Sequence, residues 1–443
     1  MAGGVFYREP RHDYPLAMRG EGVYLYDSDG RQYLDGSGGA AVSALGHSHP
    51  RVLEAIRSQV DELAFAHTAF FTNEPQEQLA QRLADRFGNA GARVYFLAGG
   101  SEANEAAMKL ARQYWVARGE PERSVFISRN QSYHGNTLGA LALSGYPGRR
   151  EVYKPILADW PKIDPCFPYR FQQPGESEEE YGARCADSLQ QEIDRQGAGK
   201  VAAFVAETVS GATLAAAAAA NGYFKRVREI CDRNDILLIL DEVMAGSGRT
   251  GTYFAFEQEG IAPDIVTIAK GLGGGYQPLG AMICGQKIYD TVVDAYGEFS
   301  HGHTYVGHAT ACAAGLAVQQ VMDEDDLLSN VRERGAELMQ GLGDALAEHP
   351  HVGDIRGRGL FVGIELVADR DSKAPAPAEL KLPALLRKRA MAEGLVCYPG
   401  GGTADGKDGA HILLAPPYIF SSEHVGELIG KISAVLGDVV IER

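Results

Sequence analysis

The chain has 443 residues, 42 Lys plus Arg against 58 Asp plus Glu, a net charge of −16, and 45% hydrophobic residues. This composition supports packed cores across two or three domains, excludes a mainly disordered chain and disfavours nucleic acid as a partner. Met1 to Pro15 lacks the apolar core of a signal peptide, the run Gly211 to Ala220 falls short of the roughly 20 residues of a membrane span, and the cysteines follow no disulfide or zinc spacing; a cytoplasmic protein with no membrane or metal partner is expected.

In chain order, Tyr24 to Tyr33 reads as a β-hairpin turning at Asp29-Gly30, and Asp35 to Val60 passes through a glycine-rich turn into a helix. Short apolar runs then alternate with helical periodicity. The runs are Arg93 to Leu97, Ser124 to Ser128, Val201 to Ala206, Ile236 to Leu240, Ile265 to Ala269 and Leu279 to Cys284; helices are predicted over Glu102 to Arg118 and Gly222 to Asn234. Such alternation indicates an α/β sheet of mainly parallel strands, with function at the strand C-terminal ends. Gln172 to Asp187 and Asp369 to Glu379 read as polar surface excursions, and the alanine run Ala215 to Ala220 as a loop or helix start without a function. Beyond Asp323, helices over Leu327 to Glu348 and Glu379 to Gly394 alternate with strand-like Gly359 to Val367 and His411 to Ala415. The expected organisation is a large sheet domain over residues 61–322, with 1–60 and 323–443 joining in a smaller α+β domain.

Four segments carry chemistry. Val94 to Glu105 is a strand, a glycine turn and a helix start whose free amides and Ser101 hydroxyl suit a phosphate, although a serine there is also an ordinary N-cap and no dinucleotide G-x-G-x-x-G is present. Ile236 to Val243 is a buried strand ending in Asp241 and Glu242, acids that could bind a metal or pair with a cationic ring nitrogen but that alone fit a helix cap or salt bridge better. In Pro263 to Gly275 another strand ends in Lys270 and a glycine run, where burial would lower an amine's pKa as a Schiff-base lysine requires, although taken alone a solvated lysine ending a strand fits equally well. Ser132-Tyr133-His134-Gly135 and Ser300 to Tyr305 supply aromatic loops; His301, His303 and His308 have no carboxylate at metal-ligand spacing.

A strand-end lysine, an upstream strand-end aspartate, a glycine-serine helix start and an aromatic loop are the four things a pyridoxal-phosphate site needs. With "LLILDEV" followed by "DIVTIAKGLGGGYQPLGA", the chain from about Tyr14 to Val440 resembles the class III (ornithine/ω-amine) aminotransferases of fold type I. The resemblance implies pyridoxal 5′-phosphate as cofactor, held by Gly100, Ser101, Tyr133, His134, Glu207, Asp241, Val243 and Lys270. Lys270 would form the internal aldimine and act as general base, and Asp241 would keep the ring nitrogen protonated. Thr304 would reach the phosphate of a partner subunit, making the enzyme a homodimer with shared sites.

The implied reaction is transamination from a primary amine or ω-amino acid to a keto acid, pyruvate or 2-oxoglutarate; a lyase or isomerase of the same fold is the alternative. Arginines that read substrate carboxylates in the family are replaced here by Asn136, Leu413 and, near Lys407, Gly406. The donor expected is therefore an amine without an adjacent carboxylate, or one whose acid lies at the far end. Ala41, Phe70 and Phe71 are expected to line an open apolar substrate pocket, and Lys407 to hold the acid of the acceptor.

Overall fold

The computed structural model describes residues 4–437 and 439–441; the outermost ends of the expected terminal segments, 1–3 and 442–443, lie outside it. Its centre is a seven-stranded sheet ordered Arg93–Leu97, Gly280–Cys284, Ile265–Ile268, Leu237–Asp241, Val201–Glu207, Val125–Arg129 and Lys162–Ile163. Only Gly280–Cys284 runs against the others. The strands are short apolar runs buried on both faces, which is why they read as continuous rather than alternating hydrophobic segments. The expected mainly parallel α/β sheet is therefore present.

Register sets the site. Asp241 pairs with Glu207 on one side and Thr267 on the other, so three polar residues stand in a row at the C-terminal edge of the sheet. Gly280 pairs with Leu97, which brings the turn before the antiparallel strand to the same edge. The helix Gly100–Ala117 packs Ala103, Ala106, Ala107, Leu110 and Ala111 onto the sheet; these small residues let it lie close, and Asn104 is buried among them.

The chain ends form two further sheets. The hairpin of Tyr24–Asp27 and Gln32–Asp35 turns where Asp27 Oδ1 accepts from the amides of Asp29 and Arg31, 3.0 and 2.9 Å away, and where Gly30 takes φ 80°. Its second strand pairs in parallel with Leu395–Val396, joining the two ends of the chain. Val352–Arg358, Phe361–Asp369, Ala410–Leu414 and Tyr398–Gly401 make an antiparallel sheet against which Leu327–Ala345 and Leu382–Ala392 pack, with Ser422–Leu436 lying on those two helices. No helix among the described residues is long and apolar enough to cross a membrane.

Two segments differ from their sequence reading. Most of Gln172 to Asp187 is not a surface excursion but leads into the helix Glu178–Gln196, which starts at a capping box between Ser177 and Glu180. Tyr181, Cys185, Leu189 and Ile193 recur every four residues on its buried face, while Glu178, Glu179 and Glu180 complement the positive end of the helix dipole; the acidic first turn masks the apolar stripe behind it. The alanine run starts no helix. Ala217–Ala218 pairs with Val209–Ser210, and Ala215 and Ala216 are left-handed at φ 49° and 54°.

Candidate active site

The C-terminal edge of the sheet opens into a cavity of about 360 Å³. Gly100, Ser101, Tyr133, His134, Glu207, Asp241, Val243 and Lys270 all line it, so the structure brings together eight of the residues singled out in the sequence.

Lys270 follows the Ile265–Ile268 strand in a left-handed conformation, φ 49°, which turns its side chain into the cavity rather than along the sheet. Burial lowers its amine to about pH 8, although the charges of Asp241 and Glu207 work the other way. Asp241 is held at both oxygens. Oδ2 accepts from Asn104 Nδ2 and His134 Nδ1, each at 2.8 Å, and Oδ1 accepts from the Val243 amide at 3.0 Å. A carboxylate can only accept, so Nδ1 is the protonated nitrogen of His134. Three donors fix the direction of the Asp241 carboxylate.

Asn104 was not singled out in the sequence, and it ties this network together. Besides Asp241 it donates to the His134 carbonyl at 2.7 Å and accepts from the Thr267 hydroxyl at 2.8 Å. The signal that marks it is an amide on the alanine-rich face of an amphipathic helix, where an unpaired polar group is costly. Glu207 is occupied differently: its two oxygens accept the backbone amides of Tyr133 at 3.1 Å and Gly211 at 2.9 Å, and burial raises its pKa. It pins the Tyr133 loop.

The other end of the cavity is built for an anion. The helix Gly100–Ala117 begins at Gly99 with no side-chain cap, leaving its first amides without intrahelical partners. Gly100 is required by close approach, since a Cβ there would stand 2.6 Å from Val243 Cγ1; on Gly135, at φ 145°, one would stand 2.5 Å from Ser101 Oγ. The Ser101 hydroxyl donates to Asn136 Oδ1 at 2.9 Å and accepts the Asn136 amide at 3.0 Å, closing the loop over the helix start.

The remaining residues expected here lie elsewhere. Ala41, at φ 62°, turns its methyl into an apolar cluster with Val209, Phe361 and Leu413, and its neighbour Val42 lines the cavity instead. Lys407 is a surface residue 3.6 Å from Glu379 and does not line the cavity, although the loop that carries it packs on Gln131, Tyr146 and Pro147. Phe70 and Phe71 are 80% and 67% exposed, on a segment that leaves the cavity of its own chain, and Thr304 is likewise exposed. His303 lies 3.3 Å from Glu102, and His308 caps the helix Ala309–Glu324.

The arrangement finds its counterpart among known proteins. Residues 7–436 match the family model described as Aminotransferase class-III. The chain belongs to the class III aminotransferases. An uncharacterized aminotransferase of Schizosaccharomyces pombe is 44% identical over 98% of this chain and 95% of its own length. A chloroplastic gamma aminobutyrate transaminase 3 of Solanum lycopersicum is 37% identical over 96% and 81%. Among solved structures, an amine transaminase from an uncultivated Pseudomonas species, in its pyridoxal-phosphate-bound form, superposes with a TM-score of 0.91 at 34% identity and covers 99% of this aminotransferase and 98% of its own chain. As a class III aminotransferase the protein depends on pyridoxal phosphate, and the site fits that cofactor: an uncapped helix start for the phosphate, a glycine cradle beside Val243, and a lysine of lowered pKa within the same cavity.

Proposed function

We propose that this enzyme moves an amino group from a primary amine or ω-amino acid to a keto acid such as pyruvate or 2-oxoglutarate, with Lys270 as the cofactor-bearing lysine and proton carrier. The observation that carries the reading is the Lys270 amine, lowered to about 8, in one cavity with a triply bonded Asp241 and the uncapped helix start. Pyridoxal phosphate, when bound, supplies the carbonyl carbon that takes up the amino group and a ring that spreads the electron pair released when a proton leaves the substrate carbon.

The chain's own groups do the rest. Gly100 and Ser101 would hold the phosphate through helix amides, and Val243 and Tyr133, which line the same cavity, would confine the ring. Asp241, oriented by Asn104, His134 and the Val243 amide, would pair with the ring nitrogen and hold a proton there. Lys270 Nζ, half neutral near pH 8, would take the proton from the amine-bearing substrate carbon and deliver it across the nitrogen to the former carbonyl carbon of the cofactor. His134 and Asn104 act through Asp241, and Glu207 through the Tyr133 loop.

The active assembly is a homodimer. Support comes from the exposed aromatics Phe65, Phe70, Phe71 and Tyr305, with Phe65 and Tyr305 rings 5.8 Å apart directly beside the exposed Thr304. This face would bury its apolar surface against a second copy, carrying Thr304 to that copy's phosphate and the two phenylalanines to its substrate. Residues 1–60 and 323–443 form the small domain around 61–322, a reading supported by the parallel pairing of Leu34 with Leu395. A cytoplasmic location suits the six cysteines, all of them free thiols.

Borohydride reduction of the holoenzyme followed by peptide mapping is expected to place the pyridoxyl group on Lys270, and an amine panel with pyruvate or 2-oxoglutarate to yield the matching amino acid. A label on another lysine refutes the assignment; carbon dioxide or a racemised donor without amino transfer refutes the reaction.

A further inference from the structure

Arg149 stands at the end of the short helical turn Pro147–Arg150, sixteen residues after Tyr133. Its guanidinium carbon lies 4.1 Å from the centroid of the Tyr133 ring, and Nη2 donates to the Tyr398 hydroxyl at 3.3 Å. The residue is half-buried and lines a second cavity of about 630 Å³, which adjoins the first along Ala212, a residue common to both. No carboxylate pairs with Arg149 among the described residues; the groups acting on its charge are the neutral hydroxyls of Tyr398 and Tyr133. Arg387 in the same cavity is committed, holding both oxygens of Glu9 at 2.7 and 2.6 Å.

A partly desolvated guanidinium without a counter-charge is costly unless an anion completes it. Stacking on Tyr133 covers its flat face and leaves the forked N–H edge for a planar, bidentate acceptor. Its charge also reaches the Lys270 amine, which it disfavours in the protonated form.

We infer that Arg149 reads a carboxylate at the far end of the substrate: the distal acid of an ω-amino acid donor or of a dicarboxylic keto acid acceptor. The inference rests on the transamination reading and names the substrate class for that same site. Tyr133 lies between the two points of attachment, lining the cavity of Lys270 and carrying Arg149 on its ring. An acid directly beside the reacting carbon would stay on the Lys270 side of that ring, whereas one several carbons away extends past it to the guanidinium. Arg149 thus takes the task left open by Asn136, Gly406 and Leu413, from a part of the chain that does not border any of them in sequence.

The test uses holoenzyme and single-turnover loss of the cofactor's absorbance with ω-amino acids of increasing length, each paired with the n-alkylamine of the same carbon count. Wild type should prefer at least one acid over its matching amine. Arg149→Gln should lower kcat/KM for that acid about 10- to 100-fold, mainly through KM, and shift the acid-to-amine ratio by at least about tenfold. Arg149→Lys should fall between, and Tyr398→Phe should move the ratio less but in the same direction. Calorimetric binding of the matching unsubstituted carboxylate, such as butanoate or pentanoate, should weaken by the same factor in Arg149→Gln. Equal loss for acids and amines would mean that Arg149 only supports Tyr133, and an unchanged ratio or equal carboxylate binding would overturn the inference outright. In either case wild type keeps the Lys270 label and its amine turnover, so these outcomes are distinguishable from failure of the transamination reading, in which wild type transfers no amino group from any donor. If Arg149→Gln fails to retain cofactor, Tyr398→Phe decides: no change in its ratio refutes the role.

Discussion

Replacing Asn104 by Ala tests whether the buried amide holds the electrostatic centre of the site. The substitution removes one bond to the Asp241 carboxylate at 2.8 Å, one to the His134 carbonyl at 2.7 Å and one from the Thr267 hydroxyl at 2.8 Å, all buried. A bond to a charged group contributes about 1.5–3 kcal/mol and a neutral one about 1 kcal/mol, so the expected loss is about 3–5 kcal/mol. Urea unfolding of the apoprotein, followed through the fluorescence of the fully buried Trp115 and of Trp160, measures it. Asp241 keeps His134 and the Val243 amide, so activity should fall about 10- to 100-fold, a loss of about 1.4–2.7 kcal/mol, rather than vanish. Asn104→Asp sharpens the test by setting a second carboxylate against Asp241. Repulsion of about 4 kcal/mol at an effective dielectric of 20 corresponds to about three pKa units, enough to leave the pair sharing a proton near neutrality and to give the rate a new pH dependence. An Asn104→Ala enzyme within about 0.5 kcal/mol of wild type and equally active would refute this account, because three buried bonds would then carry neither stability nor chemistry.

Four further outcomes follow from the same geometry. Capture of pyridoxal phosphate by the apoenzyme requires a neutral Lys270 amine, so its rate should rise with pH to a midpoint near the lowered value of about 8; a rate flat from pH 6 to 9 contradicts the burial argument. Asp241→Asn places an amide against the donors of Asn104 and His134 and removes the charge proposed to pair with the ring nitrogen; kcat should drop at least about 1000-fold while most cofactor stays bound, as absorbance after dialysis will show. Thr304→Ala should release cofactor about tenfold more readily at unchanged dimer content by gel filtration, and equal retention removes its role across the interface. Lys381→Gly should stabilise the protein by about 1 kcal/mol in thermal unfolding, since Lys381 is exposed, left-handed at φ 50° and places a cation at the start of the helix Leu382–Ala392; a lowered melting temperature would show that its side chain matters more than its backbone.

Where chemistry sits at the end of a regular element, it was legible before folding. Lys270 and Asp241 terminate apolar runs too short and too continuous for anything but buried parallel strands, and Gly99-Gly100-Ser101 joins a strand to a helix with its amides free. Local periodicity fixes those three positions because a strand in a parallel sheet presents its C-terminal end to the same edge as its neighbours. The helix Glu178–Gln196 was hidden only by its acidic first turn; counting every fourth residue from Tyr181 recovers it.

Tertiary structure alone decided the rest. The row Glu207, Asp241 and Thr267 depends on interstrand register, and the bridge through Asn104 depends on how a helix seats on that row. Ala41 and Val42 exchange places because one residue takes a left-handed φ, a single-bond rotation that composition does not record. Loop residues carry no periodicity to say where they end up, so Lys407 projects to solvent beside Glu379 while Arg149 folds over Tyr133. Sequence determined where the candidate machinery lies, because those residues are anchored to regular elements; the surrounding loops, Arg149 among them, take positions set by long-range packing.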